Sequence, residues 1–255
     1  MSRLSLHELS VRIAGKTVCE QLTMSLQAGR CIGLLGANGV GKTTFLLTLA
    51  GLRAPAAGRI ELDGRDLATL GRRRTAQRLG MLMQQHADPF PASVLETCLS
   101  GRHPHIGFWQ WESQQDHEIA LQALQVTGMQ ALAERDVHAL SGGERRRLGI
   151  ATLLAQQPDV FLLDEPVDQL DLYHQMRLLA HFRELAEREN KLVLMSLHDV
   201  NMAARFCDEV LLLFGNGELL HGPTYRVLTT ANLERLYGIP VRMIVTEDAL
   251  FFQPG

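Results

Sequence analysis

Apolar and polar residues alternate along residues 4–13 and again along 17–26, on either side of Gly15-Lys16. Alternation with period two predicts an antiparallel hairpin with one buried face. CIGLLG (31–36) is instead an unbroken apolar run, the mark of a short strand buried on both faces. A glycine loop and the helical stretch TTFLLTLAGL (43–52) come next, then strands at RIELDG (59–64) and RLGMLMQ (78–84). Residues 88–157 hold most of the helix-forming stretches, among them DHEIALQALQVTGMQALA (116–133), and no strand pattern. Buried-strand composition returns in VFLLDEP (160–166) and KLVLMSLHD (191–199), with the helix DLYHQMRLLAHFRELAEREN (171–190) between them. VLLLFGNGELLHG (210–222) reads as a hairpin, and RMIVTED with ALFFQPG as a small β addition at the end.

Strand–helix alternation on both sides of a helical block predicts an α/β fold. Its parts are a parallel-sheet core, an N-terminal antiparallel β subdomain and an inserted helical subdomain. The expected layout is a single domain over 1–255. Residues 1–87 and 158–222 form the core with the β subdomain, 88–157 the helical subdomain, and 223–255 a C-terminal extension.

Composition narrows the classes. At 255 residues, 46% hydrophobic and 21% charged, the chain is an ordinary globular protein able to bury a sizeable core. A net charge of −3 gives no overall basic footprint, which argues against nucleic acid as a partner. Arginines cluster at 72–74 and 145–147, and Arg72–Arg74 read as a solvated helix face. Cys19, Cys31, Cys98 and Cys207 are widely spaced, so neither a disulfide framework nor a zinc site is expected, and a reducing cytoplasm fits. MSRLSLHELS lacks the apolar core of a signal peptide. No apolar run reaches ~18 residues, so a membrane role is expected only through a partner.

Gly36-Ala37-Asn38-Gly39-Val40-Gly41-Lys42-Thr43 fits G-x-x-x-x-G-K-[ST] and lies between an expected strand and an expected helix. Its glycines let backbone N–H groups turn inward as an anion nest. Lys42 can reach β- and γ-phosphates, and the Thr43 hydroxyl can ligate Mg²⁺. Asp164 ends the strand VFLLD, at the sheet edge where α/β proteins bind ligands, and can hold the same ion. Glu165, pointing the other way, can orient or deprotonate an attacking water. Gln84 and His198 close two further apolar strands. Four strand ends thus send Lys42, Gln84, Asp164–Glu165 and His198 to one edge of one sheet.

HALSGGERRRLG (138–149) raises a separate problem. Ser141 and Glu144 form an S-x-x-E capping box, so a helix starts here and runs to Gln157, where Pro158 stops it. Gly142 and Gly143 in its first turn each cost up to ~1 kcal/mol relative to Ala. Arg145, Arg146 and Arg147 add cations near the positive end of the helix dipole.

In these residues the chain resembles, over essentially its whole length, the nucleotide-binding subunits of ABC transporters, which are P-loop NTPases. GANGVGKTT is similar to the Walker A loop and VFLLDE to Walker B with its catalytic glutamate. Gln84 matches the Q-loop, LSGGE (140–144) the signature, Gln169-Leu170-Asp171 the D-loop and His198 the switch histidine. The resemblance implies ATP with Mg²⁺, bound by Gly36–Thr43, Thr44 and Gln84. Thr43, Gln84 and Asp164 hold the metal, and Lys42, Glu165 and His198 act in hydrolysis. It implies a head-to-tail homodimer in which Ser141, Gly142 and Gly143 of one subunit face the ATP of the other. Baring those glycines lets the backbone approach a γ-phosphate bound in trans. The three arginines lie either on faces angled away from it or near the phosphates, and the sequence leaves both open.

GRHPHIGFW (101–109), LDLYHQ (170–175), LHDVNMAARFCDEVLLL (197–213) and YGIPV (237–241) resemble the importers of metal chelates: ferric siderophores, haem and cobalamin. The resemblance then implies two transmembrane permease subunits, an indirect periplasmic or lipoprotein solute-binding protein, and a peripheral place on the cytoplasmic face of the inner membrane. A soluble ABC ATPase acting on ribosomes or DNA is the alternative, as is another cargo; the chelate itself is not legible. The HPH pair, His103 and His105, is expected to pack rather than bind metal. Four departures stand out: Ile13 where an aromatic stacks on adenine, Glu144 where Gln is commonest, Val167 where Thr is usual, and Asp168-Gln169 before Leu170. None removes a catalytic group, so the expectation is an active ATPase with modest nucleotide affinity.

Overall fold

The computed structural model describes residues 2–84, 91–246 and 250–255. The boundary expected at 87/88 lies outside them, as do residues 247–249. The N-terminal hairpin forms as anticipated: β1 (Ser2–Ile13) pairs antiparallel with β2 (Lys16–Gln27), Ile13 opposite Lys16. β3 (Arg30–Gly36) runs into the glycine loop and α1 (Lys42–Leu49). β4 (Ala57–Leu62) returns antiparallel to β1, and β5 (Arg65–Asp66) completes a sheet of order β2-β1-β4-β5. α2 (Arg72–Arg78) leads into β6 (Leu79–Leu82). A helical block comes next, with α3 (Val94–Leu99), α4 (Gln114–Val126) and α5 (Gly142–Gln156).

The chain then alternates through β7 (Val160–Leu163), α6 (Leu172–Glu189), β8 (Leu192–Ser196), α7 (Val200–Phe206) and β9 (Glu209–Leu213). β10 (Leu219–Pro223) turns back on β9, and α8 (Thr224–Val227) and α9 (Thr230–Tyr237) lead to the hairpin β11 (Val241–Val245) and β12 (Leu250–Pro254). The main sheet has order β10-β9-β3-β8-β7-β6, parallel throughout except for β10. This is the expected α/β class: a mainly parallel sheet, an antiparallel β part and a helical part.

Both faces of that sheet are buried, which explains the unbroken apolar runs. Val193, Met195, Phe161 and Leu163 pack on one side with Leu179 and Phe182 of α6. Leu192, Leu194, Val160 and Leu162 pack on the other with Phe45 and Leu46 of α1 and the inner face of β1. The helical block has its own core around Cys98, Leu124, Met129 and Ala151. Fully burying each such aliphatic side chain is worth about 1.5–3 kcal/mol. No helix among the described residues is long and apolar enough to cross a membrane.

One expectation needs correction. The stretch 116–133 is not one helix. α4 ends at Val126, where the Thr127 hydroxyl donates to the Ala123 and Leu124 carbonyls and Gly128 turns left-handed at φ +69°. Such a glycine after the C-cap is a standard helix stop, and only one turn, Gln130–Leu132, resumes beyond it. The Arg72–Arg74 cluster is exposed on a helix with no buried residue, as expected, and its middle member has a further contact. Arg73 donates to the carbonyls of Pro104 (2.9 Å) and Ile106 (2.7 Å), tethering the loop that carries His105. His105 itself meets the Gln156 carbonyl through Nε2 at 2.8 Å, a packing contact.

Candidate nucleotide site

Sheet register gathers the site. Leu82, Leu163 and Met195 are neighbours across β6, β7 and β8, and Gly36 lies opposite Leu213 at the end of β3. The residues just after these strands therefore emerge along one edge. They line a cleft of about 370 Å³ built from Ile13, Asn38, Gly39, Gly41, Lys42, Thr43, Thr44, Gln84, Glu165 and His198.

The glycine loop is dictated by space and by dihedral angle. A Cβ on Gly36 would come within 2.9 Å of the Leu213 carbonyl oxygen. Gly41 has φ +110° and would drive a Cβ to 2.5 Å from Val18. As the N-cap of α1, Gly41 offers no side-chain acceptor, and the first turn holds no acid. The α1 N-terminus therefore keeps N–H groups and positive dipole available for an anion. Lys42, 6% exposed, donates from Nζ to the carbonyls of Gly36 (2.8 Å) and Ala37 (3.4 Å). Burial pulls the Lys42 ammonium below its ordinary pKa, and the charges of Glu165 and Asp164 oppose that shift.

Opposite the loop, Ser196 ties the Asp164 carboxylate to the backbone of Glu165, just after β7. Its hydroxyl donates to Asp164 Oδ1 at 2.8 Å and accepts from the Glu165 N–H at 2.8 Å. Asp164 is fully buried, and its Oδ2 has no partner. A buried carboxylate oxygen left without a donor is costly, and a cation would satisfy it. Among the described residues no group of three or more His, Cys, Asp and Glu could hold a metal. A metal beside Asp164 would therefore need other oxygens, those of Thr43, Gln84 and phosphate. That donor set is hard oxygen throughout, which suits Mg²⁺.

Glu165 sits at φ +52°, a left-handed conformation that costs a non-glycine residue roughly 1–3 kcal/mol and clusters at functional positions. The turn swings its side chain away from Asp164. Glu165 Oε1 meets His198 Nε2 at 2.6 Å, and Oε2 accepts from Gln84 Nε2 at 2.7 Å. Three strand ends are thus joined through one carboxylate.

The anticipated residues separate into two groups. Asn38, Gly39, Gly41–Thr44, Gln84, Glu165 and His198 line the cleft, with Ile13. Gly36, Ala37 and Val40 complete its loop, and Asp164 is buried at the strand end. Ser141, Gly142 and Gly143 do not line the cleft. Their helix start is capped in part by its own side chains. Ser141 Oγ accepts from the Glu144 N–H, and Glu144 Oε2 accepts from both the N–H and the hydroxyl of Ser141. Those bonds, the backbone one first, hold the Glu144 carboxyl below its ordinary pKa. The two glycines also abut their own chain. A Cβ on Gly142 would lie 3.1 Å from Gln169 Oε1, and one on Gly143 3.1 Å from the Gln169 carbonyl oxygen.

The three arginines have separate destinations. Arg145 donates to the carbonyls of Leu140 and His138, and Arg147 to those of Thr127 and Gly128 at the C-terminal end of α4. Arg146 turns inward and is buried. Ser196 and Arg146 were not anticipated. Ser196 carried a usable signal, since a polar residue in an otherwise apolar strand, two places before His198, falls at the strand end that carries the site. Arg146 carried none, because three consecutive arginines look alike.

The sequence profile described as ABC transporter matches residues 19–168. The hemin import ATP-binding protein of Burkholderia ambifaria is 39% identical over 263 residues, spanning 96% of this chain and 96% of its own length. The ferric enterobactin transport ATP-binding protein of Escherichia coli K12 is 34% identical over 254 residues, spanning 100% of this chain and 93% of its own. Among solved structures, a transporter described as metal-chelate type, in an inward-facing conformation, includes a chain with TM-score 0.85 and 31% identity. The match covers 100% of this chain and 98% of that one.

Proposed function

The chain belongs to the ABC transporter family, and from that premise we propose that it is the ATP-hydrolysing subunit of an importer for an iron chelate, a siderophore or haem. It acts as one ATPase domain that pairs head to tail with a second copy, beneath two membrane permease subunits on the cytoplasmic face of the inner membrane. The names of its relatives support the cargo class. One observation carries the mechanism: the Glu165 carboxylate lies between Gln84 and His198 on the cleft that Lys42 and the α1 N-terminus open into.

In this reading ATP lays its phosphates on the bare N–H groups of α1, and Lys42 exchanges its loop carbonyls for phosphate oxygens. Ile13 gives the adenine an apolar contact in place of a stacked ring. A magnesium ion bound with the nucleotide, held by Thr43, Gln84 and the unpartnered Asp164 Oδ2, would neutralise phosphate charge. Gln84 and His198 turn toward the γ-phosphate and release Glu165 to orient or deprotonate a water. Charge stabilisation and positioning supply most of the acceleration. Ser141, Gly142 and Gly143 lie outside the cleft, so the second copy supplies them from across the interface.

Turnover per molecule, measured across a dilution series, tests this. It should fall as the protein is diluted, and Glu165→Gln should abolish turnover while preserving ATP-dependent pairing. Ser141→Arg should block turnover with single-subunit ATP binding intact. Turnover indifferent to dilution and to Ser141→Arg would sink the paired site.

A further inference from the structure

Arg146 lies on the first turns of α5 and is 7% exposed. A guanidinium has five N–H donors in a rigid planar fork, and here each finds a different main-chain carbonyl. Nε donates to Pro166 at 3.3 Å. The two Nη1 donors reach Met83 at 2.6 Å and Gln84 at 3.4 Å. The two Nη2 donors reach Asp164 and, at 2.6 Å, Glu165. These carbonyls belong to two segments, the end of β6 with Gln84 and the turn after β7 with Glu165. One side chain from the helical block therefore bridges the backbones of Gln84 and Glu165, whose side chains are bonded to each other. It also stands beside the left-handed Glu165 and compensates that turn with charge-assisted bonds.

We propose that Arg146 is a positioning residue for hydrolysis. It locks the main chain beneath Gln84 and Glu165 into one geometry and carries any movement of α5 directly to the catalytic carboxylate. The inference rests on the proposed function, in which Glu165 acts on the attacking water. Glu144 and Ser141 start the same helix two to five residues earlier, so a partner engaging that end would act on Glu165 through Arg146 as a rigid lever. Lysine cannot replace it: an ammonium has three donors on a flexible stem and no planar fork.

The test compares Arg146→Met and Arg146→Lys with the parent full-length chain. It uses steady-state ATP hydrolysis, nucleotide binding by single subunits and thermal unfolding. Arg146→Met should lower kcat about a hundredfold, as a misplacement of roughly 1 Å can, with KM for ATP within about twofold, because Arg146 does not line the cleft. Arg146→Lys should fall between the two. A further comparison uses the Glu165→Gln background. There, Arg146→Met should leave single-subunit ATP binding unchanged, since Arg146 acts on hydrolysis through Glu165 and does not line the cleft.

Parental kcat in both Arg146 variants would overturn the proposal. So would a loss that tracks only the fraction of folded protein, or a rise in KM with kcat intact, because each marks a structural role. If the parent itself does not hydrolyse ATP, the proposed function fails instead, and the two failures are distinct.

Discussion

The N-terminus of α1 is capped by a glycine at φ +110°, has no acid in its first turn, and holds a buried lysine that points back to its own loop. The N-terminus of α5 also carries glycines, yet Ser141 and Glu144 satisfy two of its first-turn donors through a capping box, with Arg135 3.7 Å from the carboxylate. In the proposed function the first end takes its anion within one chain. The second spends two donors on its own side chains and holds a carboxylate beside the Gly142 and Gly143 N–H groups. A glycine-rich helix start is therefore not one device. The side chains flanking the glycines decide whether the end stands open or closed.

Replacing Lys42 by Met breaks the comparison most severely. It removes the ammonium that lines the cleft, and turnover should fall by about 10²–10³, the usual cost of losing a transition-state donor. Phosphate release by the folded variant checks it. No comparable loss of single-subunit ATP binding should result from any change at Ser141.

Alanine at the two glycine sites sharpens the contrast in stability. Gly41→Ala forces a left-handed Cβ into Val18 and should destabilise the chain by about 1–3 kcal/mol. Gly142→Ala meets only the end of the Gln169 side chain at 3.1 Å. It should stabilise the isolated chain by up to ~1 kcal/mol through helix propensity, while weakening ATP-dependent pairing. Denaturant unfolding reads the first effect in both variants, and sedimentation with ATP reads the second.

Glu144→Gln has the smallest effect and depends on pH. The folded carboxyl lies below its ordinary value of 4.5 because Ser141 donates to it. Its contribution is therefore complete above that value and is lost as pH falls through the lower, folded one. Protection of the Ser141 and Glu144 amides, taken relative to intrinsic exchange at each pH, should fall as pH drops below about 4.5 in the parent and stay level in Glu144→Gln. At neutral pH the variant should pair with ATP a fewfold more tightly, since a carboxylate near a helix N-terminus competes with phosphate for about 0.3–1 kcal/mol.

Much of this architecture is legible in the order of residues alone. The loop from Gly36 to Thr43 needs particular residue types at particular spacings, so its strand–loop–helix setting shows in the sequence. The buried strands are equally plain, because a run apolar at every position has only one place to go. The split of α4 is also written there, in Thr127-Gly128, but the apolar period continues past it and hides the stop. The destinations of Arg73 and Arg146 have no such local mark.

By itself the sequence determined the elements, the buried sheet and the edge at which the chemistry-bearing residues emerge, because backbone hydrogen bonding and side-chain period act over a few neighbours. Only the tertiary structure decided that Ser196 would join Asp164 to Glu165, that Gln84 and His198 would share one carboxylate, and that the middle arginine of three would turn inward. A long side chain with five donors carries no directional preference along its own helix. Where it settles depends on which unsatisfied carbonyls the rest of the fold brings within reach.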